Sequence, residues 1–174
     1  MNTFPKYYPM GKAGESLIAT WLRRRGNGFL PIYEKIIDEG KGPQLYLPDG
    51  ELIAPDLLVF GGKDRIAWIE AKHKTAFTFH RKSGLWVTGI DLRHYSDYLM
   101  VDEKSPWPVW LLFLQGAGRA KDSPEGGPTG LYGEALAVLK TKENHRHMNW
   151  GKSGMVYWAE KDLRWLAPLS ELGS

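Results

Sequence analysis

Two apolar stretches, Leu52-Ile53-Ala54-Pro55-Asp56-Leu57-Leu58-Val59-Phe60 and Arg65-Ile66-Ala67-Trp68-Ile69-Glu70-Ala71-Lys72, decide how this chain is read. Each reads as a strand, and Gly61-Gly62 marks a short turn between them. Each also carries a carboxylate among apolar residues. An unpaired carboxylate in a low-dielectric interior is costly or takes up a proton, so Asp56 and Glu70 call for a cationic neighbour. Side chains alternate along a strand, so Glu70 and Lys72 share a face, roughly 7 Å apart. If the strands pair as a hairpin, Asp56 lies opposite Glu70, and two carboxylates and an ammonium converge at a sheet end. Two readings suit that cluster equally. A hard divalent cation such as Mg²⁺ takes carboxylate, carbonyl and water oxygens. Alternatively, Lys72 forms a salt bridge with Asp56 or Glu70 and no chemistry follows.

Outward from this pair, Lys12–Arg25 reads as a helix, with Leu17, Ile18, Trp21 and Leu22 at helical spacing and Gly26 as a stop. Phe29–Ile37 reads as a strand, and Pro48-Asp49-Gly50 as a hairpin turn within Asp38–Gly50. Ile90–Asp102 is predicted helical, with Thr88 and Asp91 in a capping arrangement. Val109–Leu114 is a continuous apolar strand of the kind covered on both faces. Gln115–Gly130, rich in Gly and Pro, is a long loop without a phosphate-loop pattern. Leu131–Leu139 and Met155–Ala159 read as later strands, and Asp162–Leu172 as a terminal helix or irregular closure. The order predicts an α/β sandwich with a mixed central sheet.

The 174 residues suit one domain with its own core. With 43% hydrophobic and 25% charged residues, the composition is that of an ordinary globular protein. The absence of cysteine excludes disulfide frameworks, thiolate zinc sites and cysteine nucleophiles. No apolar run approaches the ~18 residues that a membrane span needs, and Met1–Met10 lacks a signal-peptide core. These features predict a soluble, cytoplasmic protein. The net charge of +3 does not by itself announce a nucleic-acid binder. Lys72, His73, Lys74, His80, Arg81 and Lys82 nonetheless form an acid-free stretch, and Arg23, Arg24 and Arg25 a second basic cluster. Each is either a solvated face, the more economical reading, or a phosphate-facing surface.

Pro55-Asp56, followed after thirteen residues by Glu70-Ala71-Lys72, resembles the signature of the PD-(D/E)XK nuclease superfamily. The order of elements, a helix before the two carboxylate strands and a helix and apolar strand after them, is similar to that family's core. The resemblance covers about residues 12–115, leaving 116–174 as an extension of the same domain. It implies a restriction-endonuclease-like three-layer sandwich, a mixed central β-sheet flanked by helices. It further implies Asp56 and Glu70 as ligands of Mg²⁺ or Mn²⁺, the Ala71 carbonyl as a further oxygen ligand, and Lys72 serving the attacking water. Gly14-Glu15 through Gly26 also resembles the first helix of archaeal Holliday-junction resolvases, which makes Glu15 a fourth catalytic and metal-binding candidate. A helix-start acid favoured by the macrodipole explains Glu15 as well. The activity implied is hydrolysis of DNA phosphodiesters, structure-selective in the manner of a junction endonuclease, by a possible homodimer. An inactive nucleic-acid-binding or assembly module of the same fold, and a nuclease acting on RNA, are the alternatives.

His73, Lys74, Arg81 and Lys82 are the candidate nucleic-acid contacts. Tyr95 is read as a core tyrosine, and His145 and His147 as part of a surface loop although their spacing would suit a metal on a strand. Trp86, beside the basic stretch, is the one tryptophan considered for stacking on an unpaired base, with core packing the leading account.

Overall fold

The structure, a computed structural model, describes residues 4–32, 43–62, 65–151 and 153–172. In chain order these form α1 (Phe4–Arg24), β1 (Gly28–Pro31), β2 (Gln44–Leu47), β3 (Gly50–Ile53), β4 (Leu57–Phe60) and β5 (Ile66–Lys74). There follow β6 (Thr78–His80), β7 (Leu85–Asp91), α2 (Leu92–Lys104), β8 (Val109–Gln115), β9 (Gly130–Ala135) and α3 (Leu136–Leu139). The chain closes with β10 (His145–His147), β11 (Met155–Ala159) and β12 (Arg164–Ala167), each of the last two followed by a short 3-10 turn.

The central sheet has the order β1-β4-β5-β8-β9-β12. Among the described residues its only parallel pair is β5 with β8, and every other neighbour is antiparallel. Two apolar layers cover it. Ile18 and Leu22 of α1 pack with Leu57, Val59, Ile69, Ala71, Leu112 and Leu114 on one face. Tyr95, Tyr98 and Val101 of α2 pack with Trp68, Leu111 and Phe113 on the other. A second sheet, β10-β11-β7-β6, adds Ile90, Val156 and Trp158 to that second layer. The architecture is thus the predicted mixed sheet flanked by helices. Because β5 and β8 are parallel, α2, which ends just before β8, runs back antiparallel to both, with its N-terminus near their C-terminal ends.

Several sequence expectations change. The α1 helix begins about two turns earlier than expected, with Pro5 in its first turn, where no N–H is needed. It ends as predicted: Gly26, at φ +77°, takes the left-handed closing conformation, with its N–H on the Arg23 carbonyl. The strand expected over Leu52–Phe60 is two strands. Pro55, lacking an N–H, cannot continue a ladder, and Ala54–Asp56 form a break whose backbone bonds go to Pro43 and Ile32 instead. The first strand spans Gly28–Pro31, and residues 33–42 of the expected strand and loop lie outside the described residues. The basic stretch after β5 is a hairpin, β6–β7, because β7 finds β11 as a partner far along the chain. Thr88 therefore lies inside β7, bonded to Gln115, and Asp91 alone caps α2, accepting from the Arg93 N–H at 3.0 Å. Leu131–Leu139 turns from strand to helix at Leu136. Asp162–Leu172 supplies an edge strand of the central sheet, paired with β9.

Candidate active site

Strand β5 is the platform. Its alternation turns Ile69, Ala71 and His73 towards α1, and Glu70, Lys72 and Lys74 towards α2. A side chain at Gly14 of α1 would come within 2.3 Å of His73 Cβ, so the helix rests directly on the His73 side. Strand β4 pairs with β5 up to Leu57↔Ile69 and stops there. Two residues further, the same register would set Pro55 opposite Ala71. Pro55 offers no N–H to the Ala71 carbonyl, and the Ala71 N–H is met by the Asp56 side chain, whose Oδ2 accepts it at 2.9 Å. Within a strand, the N–H and C=O of one residue point to the same edge. The Ala71 carbonyl therefore faces the opening that the break in β4 leaves.

Glu70 is 1% exposed. The Lys72 ammonium contacts its Oε1, yet neither sealed carboxylate oxygen receives a well-aligned hydrogen bond from the described residues. Burial pushes the Asp56 carboxyl up to about 7, and the charge of Glu70 adds to the rise against the pull of Lys72. Glu15 is raised by burial and then by Asp56, with Lys12, 3.1 Å away, and Lys72 acting the other way. The Lys72 ammonium is held above its ordinary value: burial opposes this, but Glu70, Asp56 and Glu15 outweigh it. The four sequence candidates Glu15, Asp56, Glu70 and Lys72 therefore belong to one electrostatic cluster. Lys74, on the same face, is lowered to about 8 by burial and by Lys72.

Among the described residues, no group of three or more His, Cys, Asp or Glu side chains is arranged to hold a metal ion by itself. The carboxylates of Asp56 and Glu70 and the carbonyl of Ala71 are the oxygen donors that could hold a hard divalent cation, which also accepts water. A buried Glu70 carboxylate whose oxygens lack an aligned hydrogen bond, and an Asp56 carboxyl raised by burial and by Glu70, fit such an ion.

The other candidates disperse. Arg81 and Lys82 lie exposed in the β6–β7 turn, and Arg81 reaches the Asp122 carbonyl at 3.4 Å, joining the turn to the loop after β8. Trp86 packs edge-on against Phe79 with ring centroids 5.2 Å apart and lies beside Gly127, a packing role. The Tyr95 hydroxyl donates to Glu143 at 2.7 Å, as befits a core tyrosine. His145 lies on a strand, not in the expected loop, sandwiched between His80 at 3.9 Å and Tyr157 at 4.6 Å. Two residues escaped the sequence reading. Tyr98, 1% exposed, has its phenol raised well above the ordinary value by burial and then by the fields of Glu70 and Asp56. His94, half-buried one turn earlier, is lowered by burial and then by Lys72. Both sit on α2, and only their helical spacing of four could have linked them.

No protein-family model and no curated protein matches this sequence. Among solved structures, the chain is similar to Hjc of Archaeoglobus fulgidus, a Holliday junction resolvase from an archaeal hyperthermophile. The match has a TM-score of 0.50 at 7% identity and covers 87% of this chain and 90% of that one. The fold is restriction-endonuclease-like. At that identity, the likeness speaks for architecture alone, and any function has to be argued from the site. No helix among the described residues is long and apolar enough to cross a membrane.

Proposed function

We propose that this protein is a divalent-metal-dependent nuclease that hydrolyses DNA phosphodiester bonds, selective for branched or junction-type DNA. The observation that carries the reading is the gathering of Asp56, Glu70, Lys72 and Glu15 where β4 breaks beside β5. Asp56, Glu70 and the Ala71 carbonyl are the proposed holders of Mg²⁺ or Mn²⁺, with Glu15 the outer fourth member. When bound, such an ion polarises a phosphoryl oxygen and lowers the pKa of a water. Lys72, 28% exposed, orients the attacking water and stabilises negative charge developing on the phosphoryl oxygens. Lys74 on the same face, and His73 from the α1 side, contact neighbouring phosphates. Arg81 and Lys82 extend the track along the hairpin. Cutting two strands symmetrically suits a homodimer.

The reading is tested by incubating the protein with supercoiled, linear, single-stranded and four-way-junction DNA, and with RNA competitor. Each is run with Mg²⁺, with Mn²⁺ and with EDTA. Metal-dependent cleavage, fastest on the junction and lost in Lys72→Ala, is expected. No cleavage of any substrate by wild type would leave a binding module of the same fold, and RNA outcompeting DNA would move the substrate to RNA.

A further inference from the structure

The β10–β11 hairpin, which the proposed chemistry does not use, has an apolar tip held in a fixed place. Met148 is 66% exposed and Trp150, two positions on, 62%. Scattered single residues of this kind are ordinary, whereas neighbours at one turn form a patch. The tip is closed on itself: the Trp150 N–H donates to the His147 carbonyl at 3.4 Å, and the two rings stand edge to face with centroids 5.9 Å apart. Its base is locked to the start of α2. The Leu92 N–H donates to the Gly154 carbonyl at 2.9 Å, the Arg93 N–H to Ser153 Oγ at 3.0 Å, and Ser153 Oγ bonds the capping Asp91. Gly154, at φ +90°, admits no side chain there, since a Cβ would lie 2.8 Å from Leu92 Cδ1.

That anchor sets the tip at the reaction centre's end of the sheet. The Val109 N–H donates to Asp102 at 2.7 Å, and Val109 is level with Trp68 on β5. Leu92, earlier on the same helix, lies about 15 Å back along its axis, or about four to five strand positions, which brings it level with Lys72 and His73. The run Arg146-His147-Met148-Asn149-Trp150-Gly151-Lys152-Ser153 contains no acid, and Arg93 is exposed in the first turn of α2. The carboxylates at the hairpin's base are engaged, Asp91 on the Arg93 N–H and Ser153, Glu143 on Arg146 and Tyr95.

We propose that Trp150, flanked by Met148, is a specificity element that stacks on a base face left open where DNA branches, with Arg93 meeting a backbone phosphate beside it; this rests on the proposed DNA-directed reading. Every base has a π face on which an indole can stack. Inside a paired duplex both faces are covered by neighbouring bases, and at a branch or gap one is open. An aromatic tip among cations suits that target, the ring covering the base and the cations facing phosphate. A second copy docked tip to tip would instead bring like charges together.

Fluorescence anisotropy, in Ca²⁺ and in EDTA, compares a four-way junction, a duplex with a single-stranded gap and a blunt duplex of the same length. Trp150→Ala should bind the junction and the gapped DNA about 5- to 150-fold more weakly, with no comparable loss on the blunt duplex and no change in salt dependence. Trp150→Phe, which keeps a ring, should recover much of the affinity. Trp150→Leu, apolar but without a π face, should behave as the alanine variant and carries the test if that variant does not fold. Arg93→Gln should weaken all three complexes and reduce the salt dependence by about one phosphate contact. Branched-DNA binding by Trp150→Ala equal to wild type, an equal loss on the blunt duplex, or a change confined to the oligomeric state in sedimentation would overturn the role. Cleavage is read separately in Mg²⁺. Wild type that binds branched DNA through Trp150 yet cleaves nothing refutes the nuclease and leaves this role standing, whereas wild type that binds no DNA overturns both.

Discussion

Replacing Asp56 by asparagine should stabilise the metal-free protein while abolishing its chemistry. The carboxyl titrates near 7 in the folded chain, raised by burial and then by Glu70, against about 4 in an unfolded one. Below pH ~4 it is protonated in both states and costs nothing. Between about 4 and 7 the unfolded state releases a proton that the folded state keeps, so stability falls by about 1.4 kcal/mol per pH unit. Above 7 the full cost, ~4 kcal/mol as an upper bound, is in place. Asparagine removes this pH dependence and still offers an oxygen to the Ala71 N–H, which Asp56 accepts at 2.9 Å. At pH 8 in EDTA the variant should melt higher than wild type. Half the bound, ~2 kcal/mol, corresponds to a rise of roughly 4–8 °C for a chain of this size. The difference should shrink towards pH 5 and also shrink when Mn²⁺ is added to wild type. The assay is a series of thermal melts by circular dichroism from pH 5 to 8, with and without metal. A wild-type melting temperature in EDTA that does not fall over this range, or a variant less stable than wild type at pH 8, would refute the reasoning.

Four further outcomes follow from the same geometry. Lys72→Ala should lower cleavage by at least ~100-fold, as expected for removal of a group that stabilises transition-state charge, and should also destabilise the fold by roughly 3 kcal/mol because Glu70 is left buried without its counter-ion; urea titration separates the two effects. Gly14→Ala drives a Cβ to 2.3 Å from His73 Cβ, so α1 must move, with an expected loss of about 1–3 kcal/mol and a higher Mg²⁺ requirement as Glu15 is displaced. Lys74→Gln should weaken DNA binding and reduce the salt dependence by about one phosphate contact, measured by fluorescence anisotropy; in wild type, binding should weaken as pH rises through about 8, where Lys74 loses its charge. Pro55→Ala supplies an N–H opposite the Ala71 carbonyl, so the new amide at residue 55 should be protected from hydrogen exchange and Ca²⁺ affinity should fall.

The parts of the fold legible in the sequence were those written locally. The apolar period of Leu17, Ile18 and Leu22, the unbroken run Val109–Leu114 and the turn at Pro48–Gly50 each specify an element by near-neighbour physics. The adjacency of Asp56 and Glu70 followed from register alone. What escaped depends on partners distant in the chain. Gly89 weakens any local strand signal, yet it is required because a Cβ there would come within 2.1 Å of the Val156 carbonyl on β11. Arg164–Ala167 acquires strand character only by pairing with β9. Tyr95 and Tyr98 are indistinguishable by spacing or type. What separates them is their surroundings: the Tyr95 hydroxyl donates to Glu143, whereas Tyr98 lies in the field of the buried Glu70 and Asp56 carboxyls.

Two readings of the carboxylate pair stood level on sequence grounds, and the raised Asp56 carboxyl bears on the choice between them. A structural salt bridge needs one carboxylate for one ammonium, and a carboxylate well served by a cation is held below its ordinary value. Asp56 is held above it, although Lys72 is near. Burial is the first cause of that rise, the charge of Glu70 adds to it, and Glu15 is raised as well. A chain built only for stability would favour a neutral residue there that keeps an acceptor for the Ala71 N–H. Retaining it is reasonable if a further cation arrives to meet it, and proteins commonly give up stability at sites that work. The break at Pro55 supports the same view. It forgoes ladder hydrogen bonds at the end of an otherwise apolar strand and leaves the Asp56 carboxylate on the Ala71 N–H, next to the strand that carries Glu70, the kind of oxygen-rich surroundings a hard divalent ion prefers.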